Sequence, residues 1–158
     1  MLESCKTAKE RWGGVHSLID RWLNERQEML VQFCSIDGLD EFQNNNTPIA
    51  EKVESFCQIL VDYVSAGHFE IYEQLINEAK EFDDGGVELY QKLYPSINET
   101  TQASLDFNDK YATDDHFKAN RGDLPSDLSA LGEALELRFQ LEDQLIEGLH
   151  EKHRDKVA

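Results

Sequence analysis

The sequence LVDYVSAGHFEIYE, residues 60–73, places acidic, hydroxyl and imidazole side chains in a segment that is otherwise apolar enough to be core. If one α-helix runs through the segment at about 100° per residue, five of its side chains fall on one side. Buried carboxylates need partners, because removing an unpaired charge from water is costly. The segment therefore predicts either an internal polar network or a binding face. The five residues are Asp62, Ser65, Phe69, Tyr72 and Glu73.

Helical apolar spacing extends from this segment in both directions along the chain. Apolar residues recur at steps of three and four, and no alternating strand pattern competes with them. Long helices joined by short polar loops are typical of a bundle. We therefore predict an all-α, antiparallel four-helix bundle that forms a single domain over residues 1–158, with breaks near Gly67 and Pro95. The predicted helices span about 3–34, 48–82, 86–112 and 125–153, and the polar stretches 35–47 and 113–124 are predicted to be loops.

The net charge of −17 is unevenly distributed along the chain. Residues 1–35 hold five Lys and Arg against five Asp and Glu, whereas the remaining residues hold ten against twenty-seven. Direct nucleic-acid binding needs a basic surface that displaces counterions from phosphate, and this composition does not provide one. Many of these acids solvate helix faces. As a whole the charge favours attraction to basic protein partners.

The same composition limits the compartment and the chemistry that we expect. No apolar run approaches membrane-spanning length, and the first residues are of mixed charge, unlike a signal peptide. The three cysteines, Cys5, Cys34 and Cys57, are odd in number and form no CxxC pair, which indicates a reduced cytoplasmic protein. Because no nucleophile elbow or phosphate loop occurs, the sequence predicts neither an enzyme nor a bound cofactor.

Charged residues also lie on the apolar stripes of the first and last helices. We hypothesise that two arginines balance three carboxylates inside the bundle, with a tyrosine and a histidine completing the hydrogen bonds. In the alternative interpretation these long side chains sit at helix edges and reach water. The proposed network comprises Arg26, Asp62, His68, Tyr72, Glu73, Arg138 and Glu142.

Near the C-terminus, Glu147 and His150 have the Glu-x-x-His spacing of di-iron bundles, and His153 lies one turn further on. Such sites need a second copy of the motif, and none is present in the sequence. A metal-carrying bundle of the di-iron or haemerythrin type is therefore kept only as an alternative. Otherwise we expect these residues to be exposed charges that complement the helix dipole.

Four long segments resemble the regulator of sigma D family (Rsd/AlgQ): residues 10–16, 18–23, 60–73 and 133–143. The resemblance covers nearly the whole chain except 36–47 and 112–124, and its N-terminus is most similar to the pseudomonad alginate-regulator branch. It implies an anti-sigma factor, a transcription regulator that binds region 4 of the principal sigma factor. Covering that basic helix-turn-helix domain would block its promoter and core polymerase contacts.

Within this resemblance, Asp62 is the family position that we expect to bind the sigma factor. Ser65, Phe69 and Glu73 lie on the same predicted helix side and would add a hydroxyl, an apolar anchor and a second acid. In the alternative interpretation of these two side chains, Trp22 and Phe69 belong to the core. A generic acidic adaptor that binds other basic or regulatory proteins is kept as a separate alternative function. The first helix would contribute Leu18, Arg21, Trp22 and Arg26 to the sigma-binding face.

Overall fold

The computed structural model describes the backbone of residues 2–39 and 48–153, and the side chains of residues 14–36 and 49–153. Within these ranges the chain contains helices and no strand, so the all-α prediction is confirmed. No helix in the described part of the chain is long and apolar enough to cross a bilayer. The elements are α1 (Leu2–Leu39), α2 (Pro48–Ala66), a π-helix (Gly67–Ile71), α3 (Tyr72–Phe82), α4 (Gly86–Tyr111), α5 (Asp114–Asn120), a 3₁₀ turn (Arg121–Asp123), α6 (Leu124–Leu149) and a second 3₁₀ turn (Glu151–His153).

Neighbouring long helices run antiparallel. In the pairs α1–α2, α2–α4 and α4–α6, residues early in one helix meet residues late in the other, as an up-and-down bundle requires. The π-helix and α3 continue the direction of α2, so these three elements act as one long arm of the bundle. Contacts that establish the directions are Trp22 with Tyr63 and Gln32 with Ser55 for α1 and α2, Phe56 with Phe107 for α2 and α4, and Thr100 with Arg138 and Lys110 with Asp127 for α4 and α6.

The core follows the helical apolar spacing most clearly in α6. Its inward positions recur at steps of three and four, and two of them are charged rather than apolar. Because both charged side chains are fully buried, the bundle must supply hydrogen-bond partners for them. The buried ladder is Leu128, Leu131, Leu135, Arg138, Glu142, Leu145 and Leu149.

At Gly67 the long arm does not end but passes through one turn of π-helix. A Cβ atom added to Gly67 would lie 3.2 Å from Trp22 Cζ2 and 3.3 Å from the Tyr72 hydroxyl, so glycine allows this close approach. A π turn holds more residues than an α turn and therefore shifts the register of the helix after it. As a result Tyr72 is buried while Phe69 and Glu73 are exposed. The prediction that these side chains share one side of a straight helix is wrong for Tyr72.

Near Pro95 the predicted break is absent, because α4 continues from Gly86 to Tyr111. Proline removes the hydrogen bond to the carbonyl four residues earlier, that of Gln91. Both Pro95 and Gln91 are on the exposed face of α4, so water can satisfy the freed carbonyl. The helix therefore tolerates the proline.

The two predicted loops also contain more helix than expected. α1 extends to Leu39, beyond the predicted end at residue 34, because Ile36 continues its apolar stripe and is fully buried. Residues 40–47 of that predicted loop lie outside the described ranges. In the second loop, Thr113 caps α5 by accepting a hydrogen bond from the backbone N–H of His116, and Phe117 is buried.

Candidate protein-binding face and the polar network beneath it

An acidic face lies on the side of α1 that meets α2 and the π-helix. We define it by the carboxylates of Glu25, Glu28, Asp62 and Glu70, together with the Phe69 ring. Burial, and then the charges of Asp62, Glu28 and Glu70, raise the pKa of Glu25 above its ordinary value. Glu25 Oε1 is buried without a hydrogen-bond partner among the described residues. Phe69 precedes Glu70 in the chain and has 76% of its surface exposed.

The other predicted sigma-binding residues differ in their exposure. Arg21 and Glu73 are exposed, and Leu18 and Ser65 are half-buried. Phe69 is a surface residue, so the alternative that assigned it to the core is wrong.

Trp22 lies beneath the acidic face and not on it. Only 3% of the residue is exposed, and its indole ring stacks on Tyr63 with ring centroids 4.8 Å apart. The indole N–H donates to the Tyr63 backbone carbonyl at 3.1 Å, which fixes α1 against α2. For Trp22 the structure therefore agrees with the interpretation as a core residue, and any contact with a partner would be indirect.

A polar network centred on Glu142 fills the interior next to the π-helix. The carboxylate accepts hydrogen bonds from the hydroxyls of Tyr63 and Tyr72. It also pairs with Arg138 Nε at 3.0 Å and with Arg26 Nη2 at 3.2 Å. Burial, followed by the charge of Glu142, raises the pKa of both tyrosines, which keeps them protonated as donors at neutral pH. Glu142 is therefore fully buried but well supplied with donors.

Arg138 extends the network towards α4. Its Nη1 donates to the hydroxyls of Thr100 at 3.1 Å and Thr101 at 2.7 Å, and its Nη2 donates to Tyr72 at 3.1 Å. His68 Nε2 also lies 2.7 Å from the Thr101 hydroxyl. Burial and the positive charge of Arg138 lower the pKa of His68 to about 4, so this histidine is neutral at pH 7.

The network differs in membership from the hypothesised one. Arg26, Tyr72, Arg138 and Glu142 meet inside the bundle, with His68 at the margin, whereas Asp62 and Glu73 remain on the surface. The alternative in which the charged side chains reach water does not describe Arg138 or Glu142, because neither side chain is exposed. Arg26 is the bridge to the surface, since its Nη1 also pairs with the exposed Asp143 at 2.9 Å.

The candidate metal ligands at the C-terminal end serve another purpose. His150 and His153 are buried, so the expectation that they are exposed helix-end charges is wrong. His150 Nδ1 lies 2.8 Å from one oxygen of Glu78, and His153 bridges the second oxygen and Asp84. Glu147 is exposed and takes no part. Among the described residues, no group of three or more His, Cys, Asp or Glu side chains could hold a metal ion.

Several residues of the site were missed in the sequence. Tyr63 had a usable signal, because it follows Leu60 by three positions on the buried stripe of α2. Glu25 and Glu70 had none, since their proximity depends on the pairing of α1 with the π-helix. Thr100 and Thr101 looked like ordinary helix-surface residues until Arg138 was placed against them.

Comparison with known proteins identifies the family of this chain. The family model for the regulator of RNA polymerase sigma(70) subunit, Rsd/AlgQ, matches residues 1–150. A regulator of sigma D from Yersinia enterocolitica (serotype O:8 / biotype 1B) is 38% identical over 93% of this chain and 89% of the relative. The regulator of sigma D from Enterobacter sp. (strain 638) is 38% identical over 100% of this chain and 98% of the relative. The chain therefore belongs to the Rsd/AlgQ family of regulators of the RNA polymerase sigma(70) subunit.

Proposed function

We propose that this protein is a cytoplasmic anti-sigma factor that binds region 4 of the principal sigma factor through the acidic face and performs no catalysis. The proposal rests chiefly on the surroundings of the Glu25 carboxylate. Its carboxylate is partly buried among three other acids, its pKa is raised by burial and then by their charges, and one of its oxygens has no hydrogen-bond partner among the described residues. A Lys or Arg from a partner would relieve the repulsion by pairing with the exposed carboxylates of this face.

Charge complementarity explains how such binding would inhibit transcription. A DNA-binding domain holds Lys and Arg side chains where phosphates will lie. Carboxylates that engage the same side chains compete with promoter DNA for them. The polymerase contact of region 4 would be blocked as well, because the bound bundle occupies the surrounding surface.

Phe69 gives the acidic face an apolar anchor. Aromatic side chains ringed by polar residues are typical centres of protein interfaces. Ser65, Glu73, Leu18 and Arg21 would form the rim of the interface.

The polar network would support this interface from below. Trp22 and Arg26 act there as supporting residues, since they hold α1 against Tyr63 and Glu142. In this arrangement Asp62 and Phe69 contact the partner directly, while the buried groups keep the π-helix in place.

A competition experiment tests the blocking mechanism. Purified protein is added to sigma region 4 bound to labelled promoter DNA, and the released DNA is followed by fluorescence anisotropy. We expect release that saturates at one protein per sigma domain and weakens with added salt. Stable ternary complexes of protein, sigma domain and DNA would exclude this mechanism.

An unrelated basic DNA-binding domain serves as the specificity control in the same assay. A specific anti-sigma factor leaves that domain on its DNA. A generic acidic adaptor, the alternative function, would release both domains with similar affinity.

A further inference from the structure

One half of the seam between α1 and α6 forms an open apolar groove. Its open volume is about 180 Å³, and it borders the polar network at Phe139, whose ring contacts Arg26 and Tyr63. We call this the α1–α6 groove, and its lining consists of Leu30, Phe33, Gly132, Leu135, Glu136 and Phe139.

The groove exists because α1 and α6 do not pack closely, and only long side chains bridge the space between them. Along the described residues α1 packs closely against α2 and the π-helix, and it hardly approaches α6. The polar half of the seam is closed by Arg26, which pairs with Asp143. Two turns further along α1, the Phe33 ring reaches Gly132, where an added Cβ would lie 3.1 Å from the ring. Glycine at this position keeps the floor of the groove free of side chain.

Both aromatic walls of the groove are held in place. Phe33 packs against Phe56 with ring centroids 5.8 Å apart. Phe139 packs edge-on against Tyr63, and the Arg26 guanidinium lies 4.6 Å from its ring centroid. A groove with such fixed walls is preorganised for an apolar side chain, because little ordering entropy is lost on binding.

The charges around the groove select the kind of partner. The only cation in α6 is Arg138, which is buried on Glu142. Glu136 lines the groove and is exposed, and the exposed Glu133 follows the lining residue Gly132 in α6. A second copy of this chain would bring the same acids and a further net charge of −17, so self-association is electrostatically disfavoured. Lys or Arg beside an apolar residue would complement this rim.

We propose that the α1–α6 groove binds the apolar side of a basic amphipathic helix from a partner protein. Apolar anchors at helical spacing enter a groove of this kind, and flanking cations pair with the rim. The groove lies on the α6 side of α1, whereas the acidic face lies on the α2 side. It therefore offers a second docking site, independent of the proposed sigma-binding face.

Two synthetic peptides test this site by NMR titration of isotope-labelled protein. Both have leucines at helical spacing, and their polar positions are all Lys in one peptide and all Glu in the other. We expect the Lys peptide to shift resonances of Leu30, Phe33 and Leu135 first. The Glu peptide should cause no shifts there. Shifts confined to the acidic face, or equal binding of both peptides, would overturn the proposal.

Matched variants distinguish binding at the α1–α6 groove from nonspecific attraction to an acidic protein. Leu30→Gln, at a half-buried lining position, should weaken binding of the Lys peptide roughly tenfold or more, as loss of an interface anchor does. Glu136→Lys should weaken it less, and Glu99→Lys, an exposed charge reversal on α4, should leave it unchanged. Equal affinity of Leu30→Gln and Glu99→Lys would overturn the proposal.

Two further measurements keep the result interpretable. Unfolding curves of each variant show whether the bundle is intact, and binding of sigma region 4 by Leu30→Gln should be unchanged, since the acidic face is untouched. If sedimentation instead shows a dimer that Leu30→Gln dissociates, the occupant is a second copy, and the proposal of a basic partner helix is wrong.

Discussion

Glu142 and Glu25 are carboxylates at neighbouring levels of the same bundle, with opposite surroundings. Glu142 is fully buried and accepts hydrogen bonds from two tyrosines and two arginines. Glu25 is only partly buried, stands among other acids, and has an oxygen without a partner among the described residues. Burial alone therefore does not identify a binding residue. A carboxylate whose donors are internal contributes to the fold, whereas one that stands among other acids favours the approach of a basic partner.

The largest expected effect comes from breaking the network. Arg138→Ala removes the closest cation from Glu142 and the hydrogen bonds to Thr100 and Thr101. Leaving a buried charge without its partner typically costs about 3 to 5 kcal/mol. We expect a loss of that size in the free energy of unfolding, measured in urea. Stability equal to the wild type would mean that the network does not support the fold. Arg138→Met combined with Glu142→Leu should be less destabilising, because no charge is then left unpaired.

Gly67→Ala should produce the next largest effect. The added methyl would lie within 3.2 to 3.3 Å of Trp22 and Tyr72, and overpacking of this kind costs about 1 to 3 kcal/mol. Gly122→Ala is the matched control, because nothing lies within 4 Å of its Cβ position. If both variants unfold at the same urea concentration, close packing is not what requires Gly67.

His68 predicts a pH dependence of stability. Its pKa is lowered to about 4 by burial and Arg138, whereas the unfolded chain has the ordinary value of 6.5. Between these values the unfolded state binds more protons, so stability present above pH 6.5 is lost as the pH falls towards 4. Because the side chain is only half-buried, we expect a contribution of roughly 1 to 2 kcal/mol. Urea unfolding of His68→Asn should show a smaller loss over this range, and an unchanged pH profile would contradict the assignment.

The pH dependence of stability that we expect from Glu25 is opposite in sign to that from His68, and smaller. The pKa of this acid is raised, so the native state binds more protons than the unfolded state, and stability falls as the pH rises through that pKa. Glu25→Gln removes the repulsion and should stabilise the protein at pH 7 by less than about 1 kcal/mol, given solvent screening. Thermal unfolding at pH 7 measures this gain. A clear loss of stability would show that Glu25 has an internal partner.

The helices of this bundle were predictable because burial imposes the 3.6-residue period on the sequence. That is why the ladder of α6, including the buried Arg138 and Glu142, was visible before the structure. The separation of the buried Tyr72 from the exposed Phe69 and Glu73 was not predictable from a straight helix, because the π turn depends on how Gly67 packs against Trp22 and Tyr72. Short α5 was missed because a few polar residues carry little periodic signal.

Contacts between residues far apart in the chain were also not predictable from the sequence. Glu78 lies some seventy positions from His150 and His153, so nothing near the histidines indicated that a buried carboxylate would pair with them. The acidic face was only partly visible for the same reason. Asp62 was recognisable from the family resemblance, whereas Glu25 joined it through the packing of α1.

The affinity for sigma region 4 is the decisive measurement for the acidic face as the sigma-binding surface. Asp62→Asn with Glu70→Gln removes two charges of the acidic face without touching the network, and Glu99→Gln is the control on α4. By isothermal titration calorimetry we expect the double variant to bind at least about tenfold more weakly. Its unfolding free energy should remain within about 0.5 kcal/mol of the wild type. Unchanged affinity in a folded double variant would contradict the assignment of the acidic face as the sigma-binding surface.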